Sequence, residues 1–265
     1  MSDISRDPTA GFRLDGKVVL VTGASSGLGA RFARVAAAAG ATVVGAARRA
    51  DRLATLVDEL ETIHGTGRGH AVEVDLSAPG GPENCITDAL SKAGRIDVLV
   101  NNAGISQVAP ALDFDTERFR YELEIDLVAP FALARDVARD AIANRRPASI
   151  VNIGSILGQV AGGKLRVPGY SAAKGGLHNL TRELASQWGR KGVRVNAIAP
   201  GWFETEMNDA MFDDAGGRAY MEAGAVMGRP GRDGELDGAF LFLASDASTF
   251  VTGHVLAVDG GWTAS

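Results

Sequence analysis

Tyr170 and Lys174 stand four residues apart in the run Tyr170-Ser-Ala-Ala-Lys174, and Ser155 precedes them. On a helix, side chains at i and i+4 share one face, so this spacing sets an ammonium beside a phenol. A free phenol titrates near pH 10, and a neighbouring cation favours the phenolate and lowers that value. A tyrosine so placed can give a proton to a carbonyl oxygen or take one from an alcohol, while a serine hydroxyl hydrogen-bonds the same oxygen. Taken alone, the pair reads more readily as an ordinary exposed helix pair.

A second chemical stretch lies near the front, "VTGASSGLG" at 21–29. It can be read as a phosphate cradle, as a G-x-S-x-G nucleophile elbow, or as a flexible turn. It follows a predicted strand and opens a predicted helix, where backbone N–H groups and a helix N-terminus favour a pyrophosphate. Gly23, Ser25, Ser26, Gly27, Leu28 and Gly29 are the candidate contacts. A kinase-type loop needs Lys then Ser/Thr after its last glycine, whereas Ala30 and Arg31 follow Gly29. An elbow belongs deep in the sheet with an acid and a histidine downstream, and this serine follows strand one. The cradle is the preferred reading.

The elements that must position these groups follow an alternating rhythm. Valine- and isoleucine-rich runs at 17–22, 41–47, 70–75, 97–101, 148–154, 193–199 and 254–259 read as strands buried on both faces. Helical stretches at 27–39, 51–63, 82–93, 116–144, 170–190 and 233–245 lie between them. Such alternation predicts an α/β fold, a parallel sheet covered by helices on both faces. Segment 202–232, rich in glycine and methionine, breaks the rhythm and reads as a lid. Residues 1–13 form a polar tail that is neither signal peptide nor anchor.

The bulk numbers narrow the functions. The 265 residues are 46% hydrophobic with a net charge of −5, enough apolar content for a sizeable core and no basic balance for nucleic acid. Cys85 is the single cysteine, and His64, His70, His178 and His254 are scattered. No disulfide framework and no metal site are expected. No stretch reaches the roughly 18 apolar residues of a membrane span, so the expectation is a soluble, cytoplasmic protein without membrane partners.

Thr22-Gly23-x-x-x-Gly27-x-Gly29, "NNAG" at 101–104, Ser155, Tyr170-x-x-x-Lys174, "PGWFET" at 200–205 and "VDGGW" at 258–262 occur in this order. Together they resemble the short-chain dehydrogenase/reductase family over about residues 14–262. The resemblance implies one Rossmann domain with a doubly wound, seven-stranded parallel sheet in the order 3-2-1-4-5-6-7, a nicotinamide cofactor and alcohol/ketone chemistry. It also implies that Tyr170 is the general acid/base, that Ser155 orients the substrate oxygen, and that Lys174 holds the nicotinamide ribose. Asp75 with Leu76 then meets the adenine; Asn102, Ala103 and Gly104 line the adenosine side, and Pro200, Gly201 and Thr205 the nicotinamide end. The gap from Ser155 to Tyr170 exceeds the family's usual one by about two residues, so a longer loop should shape the pocket. The implied assembly is a homotetramer. A cofactor-binding sensor with little turnover is the competing class.

One position departs from the family. Its fourth catalytic member is an asparagine in the context N-L-x-x-x-F, and here the stretch is Asp126-Leu-Val-Ala-Pro-Phe131. Pro130 cannot bond to the carbonyl four residues back, which belongs to Asp126, so a kink should free that carbonyl for a relay water. The carboxylate would add negative charge near Lys174; a neutral substitution at a kink is the other reading.

Cofactor choice turns on the end of strand two. NAD-binding relatives carry an acid there, but the run is Gly45-Ala46-Ala47-Arg48-Arg49. Ala47 takes the acid's position and Arg48 follows it; an arginine there suits a 2′-phosphate by charge and fork geometry, with Ser25 beside it, and the expectation is NADP(H). Trp202, Phe203, Met207, Met211, Phe212, Tyr220, Met221 and Met227 in the lid suggest an adaptable apolar cover, hence a hydrophobic ketone or secondary alcohol. The substrate's identity and the reaction direction stay open.

Overall fold

All seven expected runs pair into one parallel sheet in the order β3-β2-β1-β4-β5-β6-β7, seen in a computed structural model that describes residue 7 and residues 9–264. Of the expected polar tail, residues 1–6 and 8 lie outside the described residues. The strands are β1 Val18–Thr22, β2 Thr42–Ala47, β3 Gly69–Glu73, β4 Val98–Asn101, β5 Ala148–Ile153, β6 Val193–Pro200 and β7 Val255–Val258. Every residue of β1, β4, and β5 is buried, as strands covered on both faces require.

Two apolar layers sandwich the sheet. On one face α1 (Gly27–Ala38), α2 (Ala50–His64) and the late helix Asp237–Ala244 pack Phe32, Leu53, Leu60 and Phe240. The Phe32 and Phe240 rings stand 5.0 Å apart and tilted. On the other face α3 (Gly81–Ala93), the helix Ala129–Ala143 and the helix Pro168–Trp188 contribute Ile86, Ala89, Leu133, Val137 and Leu184.

The long helix expected over 116–144 is two helices. α4 runs Thr116–Leu123, a π turn covers Glu124–Val128, and α5 runs Ala129–Ala143. Pro130 has no N–H and would crowd the Asp126 carbonyl in an α turn. The chain answers by widening, and the Ala129 N–H donates to the Glu124 carbonyl five residues back. Such π turns gather at functional sites. The Pro130 carbonyl accepts the Asn101 side-chain amide at 3.2 Å, Asn101 donates also to Asn152, and Asn152 to Thr181 at 2.9 Å. That chain of buried amides ties the irregular turn to β4, β5 and the helix α6, Pro168–Trp188.

The segment expected as a lid holds two helices of its own, α7 (Asp209–Asp213) and α8 (Ala215–Gly224), before α9 (Asp237–Ala244). A single bridge, Phe203 to Gly231, closes its base. Phe212 and Met221 are buried, and Trp202, Tyr220 and Trp262 pack edge-on with centroids 5.3–6.3 Å apart. Much of the apolar set is thus spent on the segment's own packing.

Candidate active site

The carboxyl ends of the strands open into one cleft of about 580 Å³, placed where strand order reverses between β1 and β4, the usual ligand position of such sheets. Its walls include the loops after β1, β2, β3, β4, β5 and β6. Gly23, Ser25, Ser26, Gly27, Leu28, Arg48, Arg49, Asp75, Leu76, Asn102, Ala103, Gly104, Ser155, Tyr170, Lys174, Pro200, Gly201 and Thr205 all line it.

At one end the loop is built for a close approach. Gly23 (φ 67°) and Gly27 (φ 52°) adopt the left-handed region that glycine tolerates. A Cβ on Gly23 would stand 2.8 Å from the Asn102 amide nitrogen. That amide donates to the Thr22 carbonyl at 2.9 Å, and the Thr22 hydroxyl accepts the Asn102 and Ala103 N–H groups. Gly29 differs from the expectation: it does not line the cleft. A Cβ there would overlap the Gly23 carbonyl, so its missing side chain serves the packing of α1 under the loop. Ser26 is the N-cap of α1 but its hydroxyl caps no N–H, which leaves the first amides of the helix facing the cleft. A phosphate fits that donor set.

The arginine that meets the loop is Arg49. Its guanidinium donates to Ser25 Oγ at 3.1 Å and to Ser26 Oγ at 2.5 Å, and it pairs with Glu206 at 2.9 Å. The expectation put Arg48 beside Ser25. Arg49 precedes the first residue of α2 as its N-cap, one residue nearer the loop than expected, and so turns inward. Arg48 lines the cleft near Asp75, whose carboxyl is held below its ordinary range first by hydrogen bonds from Ser77 and further by the Arg48 charge. Arg52 also bonds Glu206.

At the other end α6 starts at Pro168, a favoured first-turn residue. It presents Tyr170 and Lys174 to the cleft. Ser155 lies just past β5, where its hydroxyl caps the short 3₁₀ turn Ile156–Gly158 by accepting the Leu157 N–H at 3.1 Å. The longer loop that follows carries a second 3₁₀ turn, Gly163–Leu165. It is pinned through the Arg166 carbonyl, which accepts the Ala109 N–H at 2.9 Å.

Lys174 is buried. It donates to the Ile153 carbonyl at 3.0 Å, meets Asp126 Oδ1 at 3.1 Å, and lies 5.4 Å from the centre of the Tyr170 ring. An ammonium has three N–H donors, so one is left for the cleft. Asp126 is fully buried inside the π turn, and its second oxygen accepts the Ile105 N–H at 3.1 Å. Gly104 lets this carboxylate approach, since a Cβ there would overlap Oδ1.

Burial pushes the Asp126 carboxyl up, against the pull of Lys174 and the Ile105 amide. Burial pulls Lys174 down, but Asp126 and the phenol outweigh it and the ammonium is held above its ordinary range. The Tyr170 phenol departs from the expectation. Burial raises it, Lys174 lowers it, Asp126 raises it, the Ser155 hydroxyl lowers it and Glu122 raises it, with a net upward shift. The cation beside it is neutralised by its own partner.

Three neighbours escaped the sequence reading. Glu122 is fully buried and accepts the Gln107 N–H at the foot of the site; its i, i+4 relation to Asp126 on a helical stretch was the available signal. His178, one turn beyond Lys174, is buried with neither ring nitrogen hydrogen-bonded. Its ring packs on Gly154 and Gly158, both sides of Ser155. Glu206 reaches across from the lid, a contact no local pattern announces.

A family profile described as "Enoyl-(Acyl carrier protein) reductase" matches residues 23–263. The chain is 38% identical over 255 residues to galactitol 2-dehydrogenase (L-tagatose-forming) of Cereibacter sphaeroides, covering 95% of this chain and 97% of that one. It is 40% identical over 254 residues to cis-4-hydroxycyclohexanecarboxylate dehydrogenase of Sinomonas cyclohexanicum, covering 94% and 97%. A gluconate 5-dehydrogenase from Burkholderia cenocepacia J2315, crystallised with NADP and tartrate, superposes with a TM-score of 0.91 at 36% identity, over 98% of this chain and 100% of that one.

Proposed function

The chain belongs to the short-chain dehydrogenase/reductase family, as an NADP(H)-dependent oxidoreductase of ketones and secondary alcohols, and we propose that Tyr170, Lys174 and Ser155 carry its chemistry. The observation that carries this reading is the single cleft joining the glycine loop at one end to Ser155, Tyr170 and Lys174 at the other. NADP(H) supplies or accepts the hydride. The Tyr170 phenol gives its proton to the carbonyl oxygen in reduction and recovers it from the alcohol in oxidation. Ser155 would hydrogen-bond the same oxygen, and the remaining N–H of Lys174 would hold the ribose hydroxyls of the bound cofactor. Asp126 holds Lys174 in place and stands in the relay position.

At the phosphate end, Ser25, Ser26, Gly27, Leu28 and the α1 amides take the pyrophosphate. Arg48 and Arg49 flank the 2′-phosphate, a charge and fork geometry that favours NADP(H) over NAD(H). Asp75 and Leu76 bound the adenine. Residues 202–232 are the substrate cover, with Phe203 and Met207 lining the cleft. Ile105, Ile153, Phe203 and Met207 make the reacting end mostly apolar, which suits a compact cyclic or aliphatic ketone or alcohol. The named cyclohexane-ring substrate of the Sinomonas relative agrees with that class.

Among the described residues no helix is long and apolar enough to cross a membrane. Tyr121, Val128 and Phe131 expose apolar surface along α4 and α5 at 40%, 44% and 39%, and Phe250 does so near the C-terminal end. These faces support a homotetramer, which sedimentation velocity tests.

The deciding experiment follows NADPH consumption at 340 nm against a panel of cyclic, aliphatic and hydroxylated ketones, with Tyr170→Phe as control. Turnover with at least one ketone, reduced by about 10³-fold in Tyr170→Phe, is expected. Turnover undiminished in that variant would sink the assignment.

A further inference from the structure

Two buried carboxyl groups stand one turn apart beside α6, and one of them meets the Lys174 ammonium. Asp126 meets Lys174 at 3.1 Å with side-chain exposures of 0% and 5%. Glu122, at i−4 from Asp126, is fully buried against the first turn of α6. One of its oxygens accepts the Gln107 N–H, and a Cβ on Gly169 would overlap the other. Burial pushes this carboxyl above its ordinary range, against the pull of the Gln107 amide, and Asp126 adds to the rise. Its other oxygen has no hydrogen-bond partner among the described residues.

The charge count at the phenol follows from these contacts. An isolated ammonium 5.4 Å from the ring would present one full positive charge. Paired with Asp126, it presents a net neutral couple, whichever partner holds the shared proton. An asparagine at 126 would leave the phenol facing +1; this chain leaves it facing a neutral couple, and Glu122 adds negative charge to the extent that it ionises, which its burial opposes.

Other elements packed on α6 do not restore the balance. The 3₁₀ turn at 156–158 brings Ser155, an uncharged donor. The one charged residue of β6, Arg194, points to the Leu243 and Ser245 carbonyls. His178 on α6 is held neutral, with its pKa pushed down to about 4 by burial, Arg182 and Lys174. Arg118 donates to the Gln107 side chain at 2.8 Å, and its charge acts on Glu122.

We propose that Asp126 cancels the Lys174 charge at Tyr170, with Glu122 adding to the effect, which keeps the phenol protonated across neutral and mildly alkaline pH. Asp126 acts through Lys174, and Glu122 is a positioning and charge-setting residue at the start of α6. Ketone reduction, which consumes the phenol's proton, then keeps its rate through that range. Alcohol oxidation, which needs the phenolate, gains only at higher pH. The proposal rests on Tyr170 being the proton donor. The upward shift of the phenol, caused first by burial and then by these two carboxylates, agrees with it.

The test is the pH dependence of kcat/KM for oxidation with NADP+ and reduction with NADPH, on one alcohol–ketone pair. Wild type, Asp126→Asn and Glu122→Gln are compared. The oxidation limb is expected to move about one pH unit lower in Asp126→Asn, roughly a tenfold faster oxidation on the acid side of the limb. Glu122→Gln should move it the same way by less. A purely structural role would lower kcat at every pH and leave the limb in place. A limb unmoved in both variants overturns the proposal, and one unmoved in Glu122→Gln alone removes Glu122 from it. Ultraviolet titration of tyrosinate, as the difference between wild type and Tyr170→Phe, reads the phenol without turnover and without either carboxylate variant. Ionisation above pH 10 is expected, and ionisation below it overturns the proposal. Turnover retained in Tyr170→Phe would instead sink the catalytic assignment while leaving that titration intact.

Discussion

Arg49 and Arg52 grip Glu206 at the phosphate end of the cleft with side chains 41%, 45% and 51% exposed. At the reacting end Lys174 and Asp126 meet with exposures of 5% and 0%. Both are carboxylate–cation contacts across segments far apart in sequence, yet water treats them differently. Exposed pairs are screened by salt and contribute little, about 0–1 kcal/mol. Buried pairs gain a stronger attraction against a desolvation cost of similar size, so what matters is whether both partners are present. The exposed end can exchange its partner for a phosphate. The buried end can only hold.

Asp126→Ala breaks this contrast most severely. It leaves Lys174 buried without its anion, which costs about 3–5 kcal/mol and should appear as a large drop in thermal midpoint together with lost turnover. Glu206→Ala, the matching deletion at the other end, should shift the midpoint by little. Equal losses in the two variants would contradict the division of the cleft into a fixed and an exchangeable end.

His178 extends the buried end and titrates within reach. Its folded pKa is depressed to about 4 from 6.5 by burial, Arg182 and Lys174. Above pH 6.5 the ring is neutral folded or unfolded, and the stability is fully present. As pH falls below 6.5 the unfolded chain takes up a proton that the folded chain refuses, and stability declines until the folded ring titrates near 4. The loss by pH 4 is on the order of 3 kcal/mol. Denaturation followed by urea between pH 4 and 7 should show this slope, and His178→Phe should flatten it.

The seven strands and their order were legible because valine- and isoleucine-rich runs separated by helical periods admit few other folds. Ser155, Tyr170 and Lys174 were legible from spacing and order. Pro130 signalled a break in the helix, but its resolution as a π turn depends on Asn101 and Asn152, which wait beneath it in other strands. The sign of the Tyr170 shift was misjudged for a related reason. Spacing shows the lysine next to the tyrosine and hides the burial of the phenol, and then the carboxylate that neutralises that lysine from another element. The choice of Arg49 over Arg48 turned on a helix that starts one residue earlier than its apolar pattern suggests. What remained hidden was, in each case, a contact between segments distant along the chain.

Arg49→Ala sharpens the comparison from the exposed side. Its loss removes the guanidinium that bonds Ser25 and Ser26 and that we propose meets the 2′-phosphate. A charged hydrogen bond is worth roughly 1.5–3 kcal/mol, so KM for NADPH should rise at least tenfold while kcat stays near the wild-type value. KM for NADH, which has no 2′-phosphate, should change far less. Equal effects on the two cofactors would assign the selectivity to Arg48 alone.

Glu206→Gln carries the smallest effect and tests the exchange directly. The carboxylate occupies the arginine fork that a phosphate would use, so removing its charge frees Arg49 and Arg52. NADPH should bind modestly tighter, about two- to threefold, and the gain should vanish near 1 M salt, where the Debye length falls to about 3 Å. Hydrogen bonds from Arg52 and Arg49 hold the Glu206 carboxyl down to about 2. A depressed folded pKa means the pair is intact above the ordinary carboxylate value of 4.5 and is lost only as pH falls through about 2. From pH 5 to 9 the difference in NADPH affinity between Glu206→Gln and wild type should therefore be constant. The Asp126 and Glu122 variants should instead show oxidation-rate differences that change with pH beyond the upper edge of that range, where the phenol they act on ionises. A pH-dependent Glu206→Gln effect would mean that the exposed end is coupled to the buried one, and the two halves of the cleft would have to be treated as a single charge network.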